Sequence, residues 1–201
     1  MPLQLFLALV SFCAATSWTP GPNNLLLLTS GVNFGFVRTL PHMAGISIGF
    51  PIMIVLVGLG LGQMFTAYPP LYLALKIAGV LYMLWLAWKV ANAGPMTKEA
   101  AAAGRPMRFH EAVLFQWVNP KAWAMALTGA ATYTLPAHYL FTLLAIAGTF
   151  LVVNIPGCCA WTGFGVSLRN LLQDESRVRV FNWTMAVLLL ASLAPVVWEL
   201  R

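Results

Sequence analysis

Apolar residues run along this chain in long, nearly unbroken stretches. Lys, Arg, Asp and Glu are absent from residues 1–37, 39–75, 122–168 and 180–198. A membrane-spanning helix needs about 20 mostly apolar residues, and these stretches hold four such segments. Two further apolar runs, which contain Lys76 and Lys121, raise the number to six. The pattern therefore predicts six spans, covering about residues 3–31, 43–64, 71–89, 112–135, 139–163 and 180–198.

Composition excludes a soluble protein. The chain has 201 residues, of which 60% are hydrophobic and 8% are charged, against roughly 25% charged in soluble domains. A globule of this size has too much surface to hide four uncharged stretches in its core, so the solvent must be lipid. We predict one all-α integral membrane domain over residues 1–201 and no enzyme, because no span carries the paired acids, Ser/His or His/Glu sets that catalysis requires.

The position of the charges predicts the orientation. A net charge of +6 would suggest nucleic acid in a soluble domain, but here the cations lie between apolar runs, where they set topology. Eight of the eleven cations flank the connections after spans one, three and five, and the connections after spans two and four have none. The positive-inside rule then places the basic connections in the cytoplasm and both termini in the periplasm. The eight are Arg38, Lys89, Lys98, Arg105, Arg108, Arg169, Arg177 and Arg179. No basic segment precedes the first apolar run, so we expect it to stay in the mature protein as span one and not to be removed as a signal peptide.

The two halves of the chain resemble each other. Pro22 and Gly31 in span one are nine residues apart, as are Pro120 and Gly129 in span four. Halves of about 1–91 and 110–201, joined by a cytoplasmic connector at 92–109, would each hold three spans and so be oppositely oriented. Inverted repeats with helices interrupted at matching positions point to the substrate site of a transporter.

Span one is predicted to break at Pro20, Gly21 and Pro22. Each proline lacks an N–H and clashes with the preceding turn, and the glycine adds freedom between them. Backbone that leaves the helix at membrane depth survives only against protein or a wet cavity. Asn23 and Asn24 follow directly and can cap the resumed helix or bind a ligand.

Span four is predicted to break at Asn119 and Pro120. Lys121 then lies in the first turn of a helix, where the dipole disfavours a cation, and a lysine at mid-membrane costs about 2.5–3.5 kcal/mol. Half-helix N-termini with an ammonium suit a carboxylate, while freed carbonyls and Asn side chains suit an ammonium. A zwitterionic amino acid meets both. The alternative is two proline kinks, with Lys121 snorkelling to the inner interface.

Span five repeats the pattern more weakly, with Asn154 just before Pro156. We group Asn23, Asn24, Asn119, Lys121 and Asn154 as substrate-binding candidates. The helix-breaking or gating candidates are Pro20, Gly21, Pro22, Pro120 and Pro156.

Proton coupling has no obvious acid, because no Asp or Glu lies inside a span. The candidates are Lys76, Lys121 and Glu111, or the charge of the substrate itself, although snorkelling would also explain Lys76. Cys13, Cys158 and Cys159 lack metal-ligand spacing, and we expect no metal and no cofactor.

Several motifs together resemble one family over nearly the whole chain. They are Thr19-Pro20-Gly21-Pro22-Asn23, Gly35 with Arg38, Ala44-Gly45 with Gly49, Lys76 with Gly79 and the 82–88 stretch, and Asn119-Pro120-Lys121-Ala122. The set resembles the lysine exporter (LysE/RhtB) superfamily of bacterial amino-acid exporters, and within it the cysteine and O-acetylserine branch. The resemblance implies a multi-pass protein of the bacterial inner membrane that exports small amino acids, driven by the proton gradient.

The leading hypothesis is therefore secondary export of a small amino acid or derivative, either cysteine/O-acetylserine-like or homoserine/threonine-like. The alternatives are export of a basic amino acid or another small metabolite, or a channel-like or structural membrane subunit. The expected partners are the substrate and the lipid bilayer, without nucleic acid, and a homodimer is left open.

Overall fold

A computed structural model describes residues 1–93, 104–169, 171–172 and 174–194. All regular structure in these ranges is helical. The α-helices are α1 (Leu3–Trp18), α2 (Pro22–Phe34), α3 (Phe36–Leu56), α4 (Gly62–Ala67), α5 (Pro69–Ala91), α6 (Phe109–Val118), α7 (Pro120–Tyr133), α8 (Tyr139–Leu168) and α9 (Glu175–Ala191). A π-helical turn at Val57–Leu61 joins α3 to α4, and a 3-10 turn at Pro136–His138 precedes α8.

The break predicted in span one is confirmed. α1 ends at Trp18, α2 begins at Pro22, and the two axes are bent by 52°. Gly21 has a fully extended backbone (φ 179°, ψ 176°), and Pro22 occupies the first helical position, where its missing N–H costs nothing.

The break predicted in span four is confirmed as well, and it is shorter. Asn119 alone leaves the helix, with φ −88° and ψ 109°, and α7 starts at Pro120. The Asn119 side chain accepts a hydrogen bond from the backbone N of Lys121 over 3.1 Å. This asparagine therefore acts as an N-cap for α7.

The spans differ from their predicted limits. Three continuous stretches are long and apolar enough to cross a bilayer, namely Phe36–Met64, Pro69–Ala91 and Pro136–Leu168, and the bent pair α1 and α2 makes a fourth if the two helices form one span. Two helical turns precede the predicted start of span two, and α8 extends span five to Leu168. The segments predicted as spans four and six do not meet the same criterion within the described residues. The end of span six beyond residue 194, with Trp198 and Arg201, and residues 94–103 of the connector with Lys98 lie outside the described ranges.

The longest helix, α8, forms the centre of the bundle and packs against α1, α2 and α3, while α3 also packs against α6, and α5 against α9. Glycines allow the closest approaches. A Cβ on Gly165 of α8 would collide with the Leu28 carbonyl of α2, and one on Gly31 with the Thr162 carbonyl of α8. Small residues at helix crossings are typical of membrane bundles.

Candidate functional site

The two helix breaks face each other across a small cavity. Its volume is about 30 Å³, enough for one or two water molecules. All five predicted substrate-binding residues line it. The full lining is Thr16, Ser17, Gly21, Asn23, Asn24, Ile46, Phe50, Asn119, Lys121, Ala122, Met125 and Asn154.

Asn24 holds the open end of α1. Its Nδ2 donates to the carbonyl of Ser17 over 2.7 Å and to that of Thr19 over 2.8 Å. The break leaves these carbonyls without helical N–H partners, and in hydrocarbon each unsatisfied group would cost several kcal/mol. The Asn24 side chain therefore replaces helical hydrogen bonds that are lost where the backbone opens between Trp18 and Pro22.

Lys121 crosses from the second break to the first. Its Nζ donates to the Thr19 carbonyl (3.0 Å), the Thr19 Oγ1 (2.8 Å) and the Pro20 carbonyl (3.3 Å). The sequence predicts that backbone carbonyls freed by the break bind the ammonium of the substrate. In this conformation the carbonyls of Thr19 and Pro20 bind the Lys121 ammonium instead. Gly21 makes the crossing possible, because a Cβ there would lie 2.7 Å from the Lys121 Cδ.

Gln116 is a site residue that sequence reasoning missed. It is fully buried, one turn before the second break, and its amide pairs with that of Asn23 in both directions, at 2.9 and 3.2 Å. An amide in the apolar run ahead of Asn119 was the available signal, since intramembrane polar residues tend to be functional.

Two buried polar atoms at the cavity have no hydrogen-bond partner among the described residues. They are Ser17 Oγ and Asn154 Nδ2, and both residues are 7% exposed. Buried polar groups are almost always paired, so these two donors have hydrogen-bonding capacity left for a water or a solute held in the cavity. The Asn154 amide nitrogen can only donate, and the Ser17 hydroxyl can donate as well.

Pro156 does not break its helix, contrary to the prediction, because α8 continues through it to Leu168. The indole N–H of Trp18 donates to the Val153 carbonyl over 3.1 Å, in the turn where Pro156 supplies no N–H. The tight packing of α8 against three helices keeps it continuous.

The remaining coupling candidates lie away from the small cavity. Lys76 stands over the Tyr72 ring at 4.6 Å from the ring centroid and lines a second, larger cavity together with Pro20, Pro22 and Pro120. Glu111 lies in the first turn of α6 and forms a bidentate ion pair with the Arg105 guanidinium, at 2.6 and 2.7 Å. This guanidinium and the backbone N–H of Arg108 lower the pKa of the Glu111 carboxyl to about 2.

An apolar helical bundle with a cavity between two broken helices is typical of membrane transporters. The LysE type translocator family matches residues 14–194, and the chain belongs to this family. The chain is 32% identical over 197 residues to the cysteine/O-acetylserine efflux protein of Escherichia coli (strain K12), covering 94% of this chain and 95% of that protein. A protein with the same name from Shigella flexneri is 32% identical over 193 residues, covering 92% and 93%. No solved structure matches the chain.

Proposed function

We propose that this protein is a secondary transporter that exports a small zwitterionic amino acid from the cytoplasm across the bacterial inner membrane, driven by the proton gradient. The observation that carries the proposal is the pair of orphaned donors, Ser17 and Asn154, beside the ammonium of Lys121 in one buried cavity. Cysteine and O-acetylserine head the candidate substrates, since the relatives carry those names, and homoserine and threonine follow.

The cavity divides into surfaces that suit the parts of such a substrate. A carboxylate would accept hydrogen bonds from Lys121, Asn154 and Ser17. Oxygens of the Asn23 and Asn119 amides are the acceptors for its ammonium. Ile46, Phe50 and Met125 supply an apolar wall that a short side chain would contact.

The cavity is smaller than an amino acid in the described conformation. A cavity of about 30 Å³ holds little more than a water molecule, so an amino acid enters only when the two broken helices separate. Binding inside a closed cavity between such helices, followed by opening to the other side, is the alternating-access cycle of secondary transporters.

Contacts among the connections support the predicted orientation. Arg38 donates to the Gly104 carbonyl over 3.0 Å, and a Cβ on Gly35 would lie 3.9 Å from the Arg169 guanidinium. The basic connections after spans one, three and five therefore meet at one end of the bundle, as a common cytoplasmic side requires. At the other end, the Tyr139 hydroxyl donates to the Gly58 carbonyl over 2.6 Å.

Contacts between the breaks support six spans arranged as two inverted repeats. Asn23 follows Pro22 and bonds Gln116 ahead of the second break, while Lys121 follows Pro120 and bonds Thr19 ahead of the first. The helix contacts agree in part, because α3 packs on α6 as α8 packs on α1. The matched glycines Gly45 and Gly148 do not support the repeat. A Cβ on Gly45 would collide with the Phe109 carbonyl, whereas a Cβ on Gly148 would meet nothing within 4 Å.

A homodimer would use α5. This helix is the least buried of the three continuous candidate spans. Of its 18 most apolar consecutive residues 22% are buried, against 44% for Phe36–Met64 and 39% for Pro136–Leu168. A cysteine replacing Trp88, which is 65% exposed on α5, would cross-link two copies if this face is the interface.

The test is transport by the purified protein in liposomes with an imposed pH gradient, using cysteine, O-acetylserine, homoserine, threonine and lysine in turn. We expect gradient-dependent flux of one or more small neutral amino acids. Flux that ignores the gradient would identify a channel, and flux of lysine alone would identify a basic amino-acid exporter. Both outcomes, and absence of flux, contradict the proposal.

A matched pair of variants tests the site itself. Asn154→Leu removes the orphaned donor and should reduce flux at least tenfold. Thr162→Val lies two turns further along α8, is also buried with an unpartnered hydroxyl, and does not line the cavity. It should transport like the parent protein, and equal flux in both variants would contradict the assigned site.

A further inference from the structure

A second and much larger cavity lies directly beyond Lys121. Its volume is about 580 Å³, and its walls come from the first turns of α5, from both sides of the second break, and from the end of α9. Gly21 and Lys121 line both cavities. The two spaces are therefore neighbours that meet at one side chain and one glycine.

Helix α7 separates the spaces along its length. Ala122 and Met125 face the small cavity, whereas Ala124, Leu127 and Thr128 face the large one. Leu127 and Thr128 are exposed and lie on the face of α7 that borders this space. The large cavity is thus the rear side of the helix that carries Lys121.

The side chain of Lys121 closes the opening at Gly21. Its aliphatic part fills the place where a Cβ of residue 21 would lie, and its ammonium is bonded to three neutral acceptors on Thr19 and Pro20. A carboxylate is a stronger partner for an ammonium than a neutral oxygen, because the attraction between two opposite full charges adds to the hydrogen bond. The four-carbon stem lets the ammonium follow such a partner.

We infer that the large cavity is the exit chamber of the exported amino acid, and that Lys121 is both the barrier and the arm that passes the substrate carboxylate from the small cavity into it. The inference rests on the proposed function. A carboxylate in the small cavity draws the ammonium from Thr19 and Pro20, which opens the barrier at Gly21. The same ammonium also lines the exit chamber, so the carboxylate stays paired while it crosses.

The exit chamber faces the predicted outer side. Tyr72 and Lys76 lie in the first two turns of α5, and Ser192 follows the end of α9. Both points are at the ends of their helices opposite to the basic connections. An exporter requires its last chamber on this side.

Thiol labelling from the outer face tests the barrier without any transport. The background chain has Cys13, Cys158 and Cys159 replaced by serine. Thr128→Cys in the exit chamber should react with a membrane-impermeant thiol reagent, whereas Met125→Cys in the small cavity should be protected. Adding Lys121→Ser to Met125→Cys should raise its labelling at least tenfold, while labelling of Thr128→Cys stays unchanged by Lys121→Ser.

Several outcomes overturn the inference. They are protection of Met125→Cys that persists after Lys121→Ser, labelling of Met125→Cys with Lys121 in place, and an unreactive Thr128→Cys. Thr19→Val is a gentler second variant, which removes one of the three acceptors and should give a smaller rise. If the labelling pattern holds while no amino acid is transported, the barrier stands and the proposed substrate fails. If export is driven by the gradient while Met125→Cys is protected both with Lys121 and with Lys121→Ser, the proposed function stands and the barrier at Lys121 fails.

Bulk in the exit chamber gives an independent readout. Ala124→Trp should block export while binding of the exported amino acid in detergent stays within about twofold of the parent. Ala131→Trp adds the same bulk two turns further along α7, at an exposed alanine that lines neither cavity, and should export normally. Normal export by Ala124→Trp, or its loss of binding, contradicts a separate exit chamber.

Discussion

The side-chain amides of Asn23 and Gln116 bind each other in both directions. Nδ2 of Asn23 donates to Oε1 of Gln116 over 2.9 Å, and Nε2 of Gln116 returns a bond to Oδ1 of Asn23 over 3.2 Å. The pair links the helix that follows the first break to the helix that precedes the second. Gln116 Nε2 also donates to the Ala112 carbonyl over 2.9 Å, whereas the described side-chain hydrogen bonds of Asn23 are all to Gln116.

Replacing Gln116 by leucine should therefore destabilise the protein by about 1–3 kcal/mol, because the Asn23 amide would be left without its partner. The measurement is the midpoint of thermal unfolding in detergent. Asn23→Leu should cost a similar amount, and the double variant should cost clearly less than the sum of the two. Additivity to within about 0.5 kcal/mol would show that the two amides are not coupled.

Asn24 has a role that only a donor can fill. Asn24→Asp keeps the shape of the side chain but replaces the amide N–H groups, which donate to the Ser17 and Thr19 carbonyls, with a carboxylate oxygen that can only accept. We therefore expect loss of folded protein and of export. Asn92→Asp is the control, since Asn92 also donates to a backbone carbonyl, that of Trp88 at 2.8 Å, but at an exposed helix end. Asn24→Asp should lose both the folded peak in size-exclusion chromatography and the flux, and Asn92→Asp should keep both. Similar behaviour of the two would contradict a structural role for Asn24.

The sequence predicts the breaks well because their cause is local. Pro20, Pro22 and Pro120 remove N–H groups whatever surrounds them, and Gly21 and Asn119 favour non-helical backbone. Pro156 has the same local effect, yet α8 remains continuous, because contacts with α1, α2 and α3 hold both sides of the proline in line. Local chemistry therefore marks where a helix can open, and packing decides whether it does.

The site was predictable in part for the same reason. Asn23, Asn24, Asn119, Lys121 and Asn154 stand out as polar residues in apolar runs, and all of them reach one cavity. Their partners could not be read from the chain, since the bond from Lys121 to Thr19 joins residues 102 positions apart. Ser17 gave no signal either, because an isolated serine in a membrane helix usually bonds to its own backbone.

Two glycines of α8 test the helix packing directly. Gly165→Leu would drive a side chain into the Leu28 carbonyl of α2, and we expect a loss of about 1–3 kcal/mol from overpacking, with less folded protein in the membrane. Gly163→Leu adds the same group on the same helix, where a Cβ meets nothing within 4 Å. Its unfolding midpoint should match the parent protein. Equal loss in both variants would mean that helix propensity, and not the contact with α2, decides the effect.

Glu111→Gln separates a structural acid from a coupling acid. The carboxylate accepts from both Arg105 nitrogens and from the Arg108 backbone N–H at the start of α6, which lowers the pKa of Glu111 from 4.5 to about 2. A lowered pKa in the folded state stabilises the fold at pH values above 4.5, and this contribution is lost as the pH falls towards 2. Glu111→Gln should thus lower the unfolding midpoint modestly at pH 7, in line with about 1 kcal/mol for a helix cap, and the difference from the parent should shrink between pH 4.5 and 2.

Because the acid stays ionised across the working range, export by the variant should keep its dependence on the pH gradient. Glu175→Gln, at an exposed acid in the first turn of α9, is the control and should behave like the parent in both assays. A Glu111→Gln protein that folds normally but no longer responds to the gradient would instead identify Glu111 as the residue that carries the proton.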